Sequence, residues 1–142
     1  MDRFKLFRTF KERGEWVELR FMVEAMRRGY KVLKPWGDSS SFDVALYFGS
    51  RIVRVQVKCT SFRFSTGYLC QLKTSSQQRY TIKNVDFFAV YVIPQDIWYL
   101  IPARVVVGKV RKECLMICPM QRMKINRYRY ECYREAWRLL HP

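Results

Sequence analysis

The centre of this chain is the stretch FDVALYFGSRIVRVQVK, residues 42–58, in which two β-rich runs flank a Gly-Ser dipeptide. A two-residue loop with glycine at its first position favours a type II′ turn, which joins neighbouring antiparallel strands. The turn sets the pairing along the whole hairpin, so Asp43 is expected to lie directly opposite Gln56, with Cβ atoms about 4.5–5.5 Å apart. We therefore predict a β-hairpin that brings a carboxylate beside an amide.

The second strand of this hairpin sends alternate side chains to opposite faces, so Arg54, Gln56 and Lys58 are expected to share one face with Asp43. The carboxylate, the amide oxygen and the backbone carbonyl of Val57 are hard oxygen ligands, the kind that Mg²⁺ prefers. The Lys58 side chain can orient a metal-bound water or hold a phosphate oxygen as an ammonium, or take a proton as the neutral amine. A metal in such a setting is sufficient for phosphodiester hydrolysis without histidine.

Charge and composition limit the classes of partner and of mechanism that the chain can have. The 142 residues carry 27 Lys+Arg against 12 Asp+Glu, for a formal charge of +15. Such an excess of positive charge is most simply explained by binding to a polyanion, and nucleic acid is the commonest polyanion. The single histidine, His141, is the penultimate residue, which argues against mechanisms that need a positioned imidazole.

Signals for the cellular compartment point to the cytoplasm. The longest apolar run, residues 87–93, is far shorter than the roughly 20 residues of a membrane-spanning helix. The first residues interleave charged and apolar side chains, unlike a secretory signal. Five cysteines without a C-x-x-C pair suit reduced thiols. We expect a cytoplasmic protein without membrane contact, associated with the nucleoid when bound to DNA.

The rest of the chain is read as alternating helix and strands. Apolar residues recur at Trp16, Leu19, Val23 and Met26, which predicts a helix over residues 12–28. Predicted strands cover residues 30–34, 42–48, 51–58, 66–73, 87–93 and 97–101. Weaker patterns predict short strands over 105–107 and 114–117 and a closing helix over 126–140.

A spaced motif runs through these elements: Gly14-x-x-x-Glu18 on the helix, Asp43, and Gln56-x-Lys58, with intervals of 25, 13 and 2 residues from Glu18 onward. It resembles the PD-(D/E)XK nuclease superfamily, and its intervals are similar to those of archaeal Holliday-junction resolvases. It is most similar to the small nucleases that include group I intron-encoded homing endonucleases, which carry Q-x-K where most of the superfamily has E-x-K. Further matching segments are residues 29–30, 35–38, 55–58, 85–91 and 98–102, so the likeness spans 14–102.

The resemblance implies an α/β fold of the restriction-endonuclease type, a mixed central β-sheet flanked by helices. We expect a single domain over residues 1–142. Its core is expected over 12–102, followed by a basic C-terminal helical extension over 103–142.

The resemblance also implies a catalytic set of Glu18, Asp43, Gln56 and Lys58. Asp43 is then the main metal ligand, Glu18 reaches the metal or its water, and Lys58 is the catalytic lysine. The expected cofactor is Mg²⁺, for which Mn²⁺ can substitute. Because Gln56 supplies an oxygen but no charge, weaker metal binding is expected unless Glu18 compensates.

Each of these residues also has a structural interpretation. Asp43 can cap the strand after a serine-rich turn, and Lys58 can protect a sheet edge. Glu15 is an alternative to Glu18 as the helix carboxylate of the site, and either residue can be a solvated charge on the helix surface. Arg54 can contact phosphate or remain a solvated charge. The sequence leaves these alternatives open.

Contacts to DNA are predicted from polar and basic side chains near the site and towards the C-terminus. Amides and hydroxyls bind base edges and phosphates, and arginines interleaved with tyrosines suit phosphate contacts and base stacking. The candidates are Arg54, Ser61, Gln71, Gln77, Arg79, Lys124, Arg127 and Arg129. The alternative for the C-terminal arginines is the solvated face of an amphipathic helix.

These inferences converge on a Mg²⁺-dependent endonuclease for double-stranded DNA, of the homing or restriction-like type. Because cutting two strands with one small domain needs paired sites, a homodimer or homotetramer is expected. The alternatives are a junction resolvase that reads the shape of branched DNA, and a non-catalytic DNA-binding protein with a degenerate site. A basic component of a ribonucleoprotein is a further possibility.

Overall fold

A computed structural model describes residues 7–72, 80–107, 114–119 and 129–142 of the chain. The two α-helices are α1 (Phe10–Arg27) and α2 (Ala103–Val106). The strands are β1 (Lys31–Leu33), β2 (Val44–Tyr47), β3 (Ile52–Thr60), β4 (Arg63–Phe64), β5 (Gly67–Gln71), β6 (Phe87–Val92), β7 (Ile97–Pro102) and β8 (Cys114–Ile117). No helix within these ranges is long and apolar enough to cross a membrane.

Five strands form the main sheet, in the order β1-β2-β3-β6-β7. The central pair β3 and β6 is parallel and the other neighbours are antiparallel, so the sheet is mixed, as predicted. The predicted hairpin register is confirmed, with Val44 opposite Val55 at one end of β2. Gly49 has a φ of +78°, a left-handed conformation that glycine adopts without a Cβ clash.

Helix α1 packs on one face of the main sheet. It begins with a capping box between Thr9 and Glu12, which satisfies backbone donors at the helix start. The side chains that pack on the sheet are Val17, Phe21 and Ala25, all essentially inaccessible to solvent. The apolar stripe used to predict the helix is instead largely exposed: Leu19, Val23 and Met26 retain 58%, 62% and 63% of their accessible surface.

The opposite face of the main sheet is covered by a second, three-stranded sheet in the order β4-β5-β8 and by α2. Tyr68 and Cys70 of β5 and Leu115 of β8 pack there with Phe88 and Val90 of β6. The main sheet is therefore enclosed on both sides. This burial explains why β6 is apolar along nearly its whole length.

Two expectations for the C-terminal part are wrong. Residues 105–107 were expected to form a strand, but α2 extends to Val106. A closing helix was expected over 126–140, but its described part forms the short 3₁₀ turns Glu131–Tyr133 and Trp137–Leu140. Within residues 129–142 the chain therefore forms no α-helix.

Tertiary contacts explain why an amphipathic pattern does not produce a helix here. Glu135 has a φ of +47°, which interrupts any helix, and its backbone N–H donates to the Trp98 carbonyl at 2.8 Å. Its carboxylate accepts from the Trp98 backbone N–H at 2.7 Å. Trp137 then stacks on Phe21 with ring centroids 5.5 Å apart. Pairing with β7 and filling the core thus replace local helical hydrogen bonds.

Candidate active site

Asp43 lies just before β2, opposite the middle of β3. Its Oδ2 accepts a hydrogen bond from Gln56 Nε2 at 2.6 Å and another from the Val57 backbone N–H at 2.9 Å. Its own N–H donates to the Val55 carbonyl at 3.0 Å. Just before β2 begins, the Asp43 carboxylate thus accepts hydrogen bonds from two consecutive residues of β3. The predicted proximity of Asp43 and Gln56 is present in the structure.

The environment of Asp43 disfavours its charged form. Burial is the main reason that its pKa rises from 3.8 to about 6, and the nearby negative charge of Glu18 raises it further. The Val57 N–H and the positive charges of Lys58 and Lys34 oppose this rise only in part. A half-buried carboxylate with a raised pKa, near a second carboxylate, is a group whose charged form a cation would stabilise.

This pKa makes a prediction for stability in the presence of a chelator. Between about pH 4 and 6 the folded protein keeps a proton on Asp43 that the unfolded chain releases, so the free energy of unfolding should fall as pH rises through this window. The total loss is roughly 2–3 kcal/mol. Urea unfolding of wild type and Asp43→Asn from pH 4 to 7.5 checks this. The variant should lack this part of the pH dependence, and identical curves for the two proteins would contradict the prediction.

Glu18 reaches the site from α1. Its Oε2 forms an ion pair with the Nζ of Lys34, which follows β1. Glu18 keeps 24% side-chain exposure and its charge raises the pKa of Asp43, whereas the alternative helix carboxylate, Glu15, is exposed. The geometry therefore favours Glu18 over Glu15 as the helix carboxylate of the site.

Lys58 stands two residues beyond Gln56 on the same face of β3. It is half-buried, and its positive charge lowers the pKa of Asp43. Its Nζ lies 5.2 Å from the centroid of the Tyr80 ring. The structure thus brings Glu18, Asp43, Gln56 and Lys58 together, as the motif predicted, while their catalytic roles remain a prediction.

Arg54 is occupied by a structural network. Its Nε and Nη2 donate to the two oxygens of Asp86 at 3.0 and 2.9 Å, and its backbone N–H donates to Asp86 at 2.7 Å. Burial alone would raise the pKa of Asp86, but hydrogen bonds from Arg54 lower it overall. Arg54 also donates to the carbonyl of Lys83. This arrangement ties residues 83–86 to β3 and favours a structural role over phosphate contact.

The other predicted DNA contacts are dispersed. Ser61 Oγ accepts from Arg13 Nη1 at 3.2 Å, just beyond the end of β3. Gln71 is exposed at the end of β5, and the Arg129 guanidinium lies 5.9 Å from the Tyr130 ring. The remaining four lie outside the described residues: Gln77, Arg79, Lys124 and Arg127. DNA contact by any of these seven stays a prediction.

Two side chains at the site were missed by sequence reasoning. Lys34 meets Glu18 across 16 positions, and Tyr80 meets Lys58 from a segment that carries no motif of its own. Helix spacing could not reveal Lys34, because it searches only three and four residues away. A basic residue directly before a proline at a strand end was the only available signal.

The donor set of the site is made of oxygen atoms. Two carboxylates and one amide oxygen are available from Asp43, Glu18 and Gln56, which suits a hard divalent cation. Within the described ranges there is no cluster of three or more His, Cys, Asp or Glu side chains that could hold a metal. Of the three proposed donors, only Asp43 and Glu18 are acidic, because Gln56 is an amide.

Comparison with known proteins decides the family. The sequence profile of a family described as PD-(D/E)XK endonuclease matches residues 9–140, nearly the whole chain. The chain belongs to this PD-(D/E)XK endonuclease family. The resemblance inferred from the motif is therefore confirmed, and family membership implies a nuclease.

Two solved structures with similar folds confirm the predicted restriction-endonuclease-like fold. The bacterial homing endonuclease I-Ssp6803I superposes with a TM-score of 0.76 at 24% identity, over 93% of this chain and 91% of that one. Hjc, a Holliday junction resolvase from Archaeoglobus fulgidus, superposes with a TM-score of 0.53 at 13% identity, over 84% of this chain and 88% of that one. No curated protein sequence matches the chain significantly.

Proposed function

We propose that this PD-(D/E)XK protein is a Mg²⁺-dependent endonuclease that cuts double-stranded DNA at a specific site, as homing and restriction-like enzymes do. The observation that carries the proposal is the half-buried Asp43 carboxylate, which accepts hydrogen bonds from Gln56 and Val57 and is influenced by the charges of Glu18 and Lys58. The formal charge of +15 supports a polyanionic substrate.

In this proposal Mg²⁺ is held by Asp43, by the amide oxygen of Gln56 and by the Val57 carbonyl, with Glu18 reaching the ion or its water. Mn²⁺ would substitute, because it accepts the same oxygen ligands. When bound, the metal lowers the pKa of a water and offsets charge on the phosphodiester. The raised pKa of Asp43 supports the fit, since a cation there would favour the charged carboxylate.

The protein side chains would divide the remaining work. Gln56 donates to Asp43 and so fixes the carboxylate orientation, which leaves the amide oxygen free to face the ion. Lys58 activates or orients the attacking water, or holds a phosphate oxygen, and Glu18 orients the same water. The water attacks phosphorus in line with the leaving oxygen and loses a proton to solvent, while the P–O bond on the opposite side breaks and the leaving oxygen takes up a proton from solvent.

Gln56→Glu tests whether the amide weakens metal binding. A second negative charge 2.6 Å from Asp43 should destabilise the metal-free protein above pH 7 and strengthen Mg²⁺ binding. We expect a lower melting temperature in chelator and a larger Mg²⁺-induced increase than in wild type. Gln71→Glu, at an exposed position, is the matched control. Equal Mg²⁺-induced increases for both variants and wild type would contradict the proposed ligand role of Gln56.

Cutting both strands calls for two active sites, so we propose that the protein acts as a homodimer or homotetramer. It would act in the cytoplasm, at the nucleoid where its DNA lies. Exposed basic residues such as Arg129 are candidates for phosphate contacts.

A second candidate is a structure-selective nuclease that cuts four-way junctions. The superposition with the Holliday junction resolvase from Archaeoglobus fulgidus favours it, although the TM-score of 0.53 is lower than the 0.76 for the homing endonuclease. The two candidates differ in what is recognised, base edges in the major groove or the shape of a branched duplex.

The decisive experiment incubates the protein with supercoiled plasmids, linear DNAs and four-way junctions, in Mg²⁺ and in chelator. Discrete Mg²⁺-dependent cuts at one sequence support the homing or restriction-like enzyme, and cuts only in junctions support the second candidate. Salt-sensitive binding without cleavage of any DNA would overturn both and leave a non-catalytic DNA-binding protein.

A further inference from the structure

The Lys58 ammonium lies over an aromatic ring. Its Nζ is 5.2 Å from the centroid of Tyr80, within the distance at which an ammonium is attracted to the negative face of a ring. Among the side chains that the structure describes, none forms a hydrogen bond or ion pair with Lys58. Tyr80 therefore provides a direct contact for this charge, beside the electrostatic attraction between Lys58 and Asp43.

The Tyr80 ring also packs against a residue of the main sheet. Tyr80 meets Phe88 edge to face, with centroids 5.2 Å apart and planes at 86°. Phe88 belongs to β6, is fully buried and pairs with Gln56 across the parallel strands. The surface that supports Tyr80 is thus part of the same sheet that carries the catalytic motif.

The backbone that follows Tyr80 is also fixed. Thr81 donates from its N–H to Asn84 Oδ1 at 2.8 Å and accepts at its carbonyl from Val85 N–H at 3.1 Å, which closes a tight turn. The Arg54 and Asp86 ion pair then ties the end of this turn to β3. Strand β3 therefore carries the lysine and also anchors the segment that presents the ring.

An aromatic partner has a chemical advantage over a carboxylate at this position. A carboxylate would neutralise the ammonium and draw its N–H groups into a salt bridge. A ring attracts the charge through its face while leaving most ammonium donors able to bind water or phosphate. It also keeps Lys58 away from a direct ion pair with Asp43, which would compete with a cation.

We propose that Tyr80 is a positioning residue for Lys58, and that its aromatic ring, not its hydroxyl, holds the ammonium beside Asp43 and Gln56. This inference rests on the proposed nuclease function. It adds a residue outside the Glu18, Asp43, Gln56 and Lys58 motif.

The test compares Tyr80→Phe, which keeps the ring, with Tyr80→Leu, which keeps an apolar side chain without a ring. Tyr47→Leu is the matched control, because Tyr47 is a part-exposed tyrosine at the hairpin end of β2. Single-turnover cleavage in Mg²⁺ is measured beside DNA affinity in Ca²⁺ and the melting temperature. Tyr80→Phe and Tyr47→Leu should cut at the wild-type rate. Tyr80→Leu should cut roughly ten- to a hundredfold more slowly, as expected for a misplaced group, with unchanged DNA affinity.

A second measurement reports the contact without relying on cleavage. The Lys58 ε-CH₂ protons should show an upfield ring-current shift in NMR spectra of wild type and Tyr80→Phe, and this shift should be lost in Tyr80→Leu. Wild-type cleavage by Tyr80→Leu, or a rate loss matched by weaker DNA binding, would overturn the positioning role. Absence of the ring-current shift in wild type would overturn the contact itself. If wild type cuts no DNA, the proposed function and the positioning role fall together, even where the ring-current shift is present.

Discussion

Asp43→Asn is expected to lose DNA cleavage by about three orders of magnitude, equivalent to about 4 kcal/mol of the activation barrier. The substitution removes the charge that would hold the metal but leaves a side chain of the same shape. Its amide oxygen can still accept from the Val57 N–H, and the Gln56 amide can turn to pair with it. The fold should therefore persist while the chemistry fails.

The measurement is single-turnover cleavage in Mg²⁺, with DNA affinity determined in parallel. Because a buried charge with a raised pKa is removed, the variant should unfold at an equal or higher urea concentration than wild type at pH 7.5 in chelator. Asp38→Asn, at an exposed position in the preceding turn, is the matched control and should cut normally. Normal cleavage by Asp43→Asn would remove the basis of the proposed metal site.

Lys58→Met is expected to lose cleavage by roughly a hundred- to ten-thousandfold, the range for a group that moves or orients a proton in the reaction. Methionine keeps the apolar stem that packs on β3 and removes the ammonium. Binding to DNA should weaken only as far as one lost positive charge allows, with a slightly shallower salt dependence.

Lys83→Met provides the comparison, because Lys83 is exposed and its hydrogen bonds with described residues use only its backbone: the carbonyl accepts from Arg54 and the N–H donates to Thr81. It removes the same charge without touching the site and should cut at the wild-type rate. If both variants lost cleavage and DNA binding to the same extent, Lys58 would be a general phosphate contact and its catalytic role would be wrong.

Local patterns specified the part of the site that lies within one hairpin. A two-residue turn with Gly49 at its first position allows one register, and that register brings Asp43 to Gln56 without any knowledge of the rest of the chain. The alternation of β3 then places Lys58 beside them. These contacts are predictable because their distances are set by the strand geometry of consecutive residues.

The sequence was a poorer guide where two patterns compete for the same residues. Helix α1 carries apolar side chains on more than one face, so its helical period was clear while the stripe that packs on the sheet was not. The sheet selects Val17, Phe21 and Ala25 and leaves Leu19 exposed. Near the C-terminus, pairing of Glu135 with Trp98 replaces the helix that an amphipathic pattern predicted.

By itself, then, the sequence determined the hairpin, its register, the mixed α/β fold and the motif that marks a PD-(D/E)XK endonuclease. Only the tertiary structure decided that Lys34 pairs with Glu18, that Arg54 is bound to Asp86 and that Tyr80 covers Lys58. The physical reason is the sequence separation over which each interaction acts. Turn chemistry and strand period act over a few residues, whereas these pairs form only after segments distant in sequence pack on the same sheet.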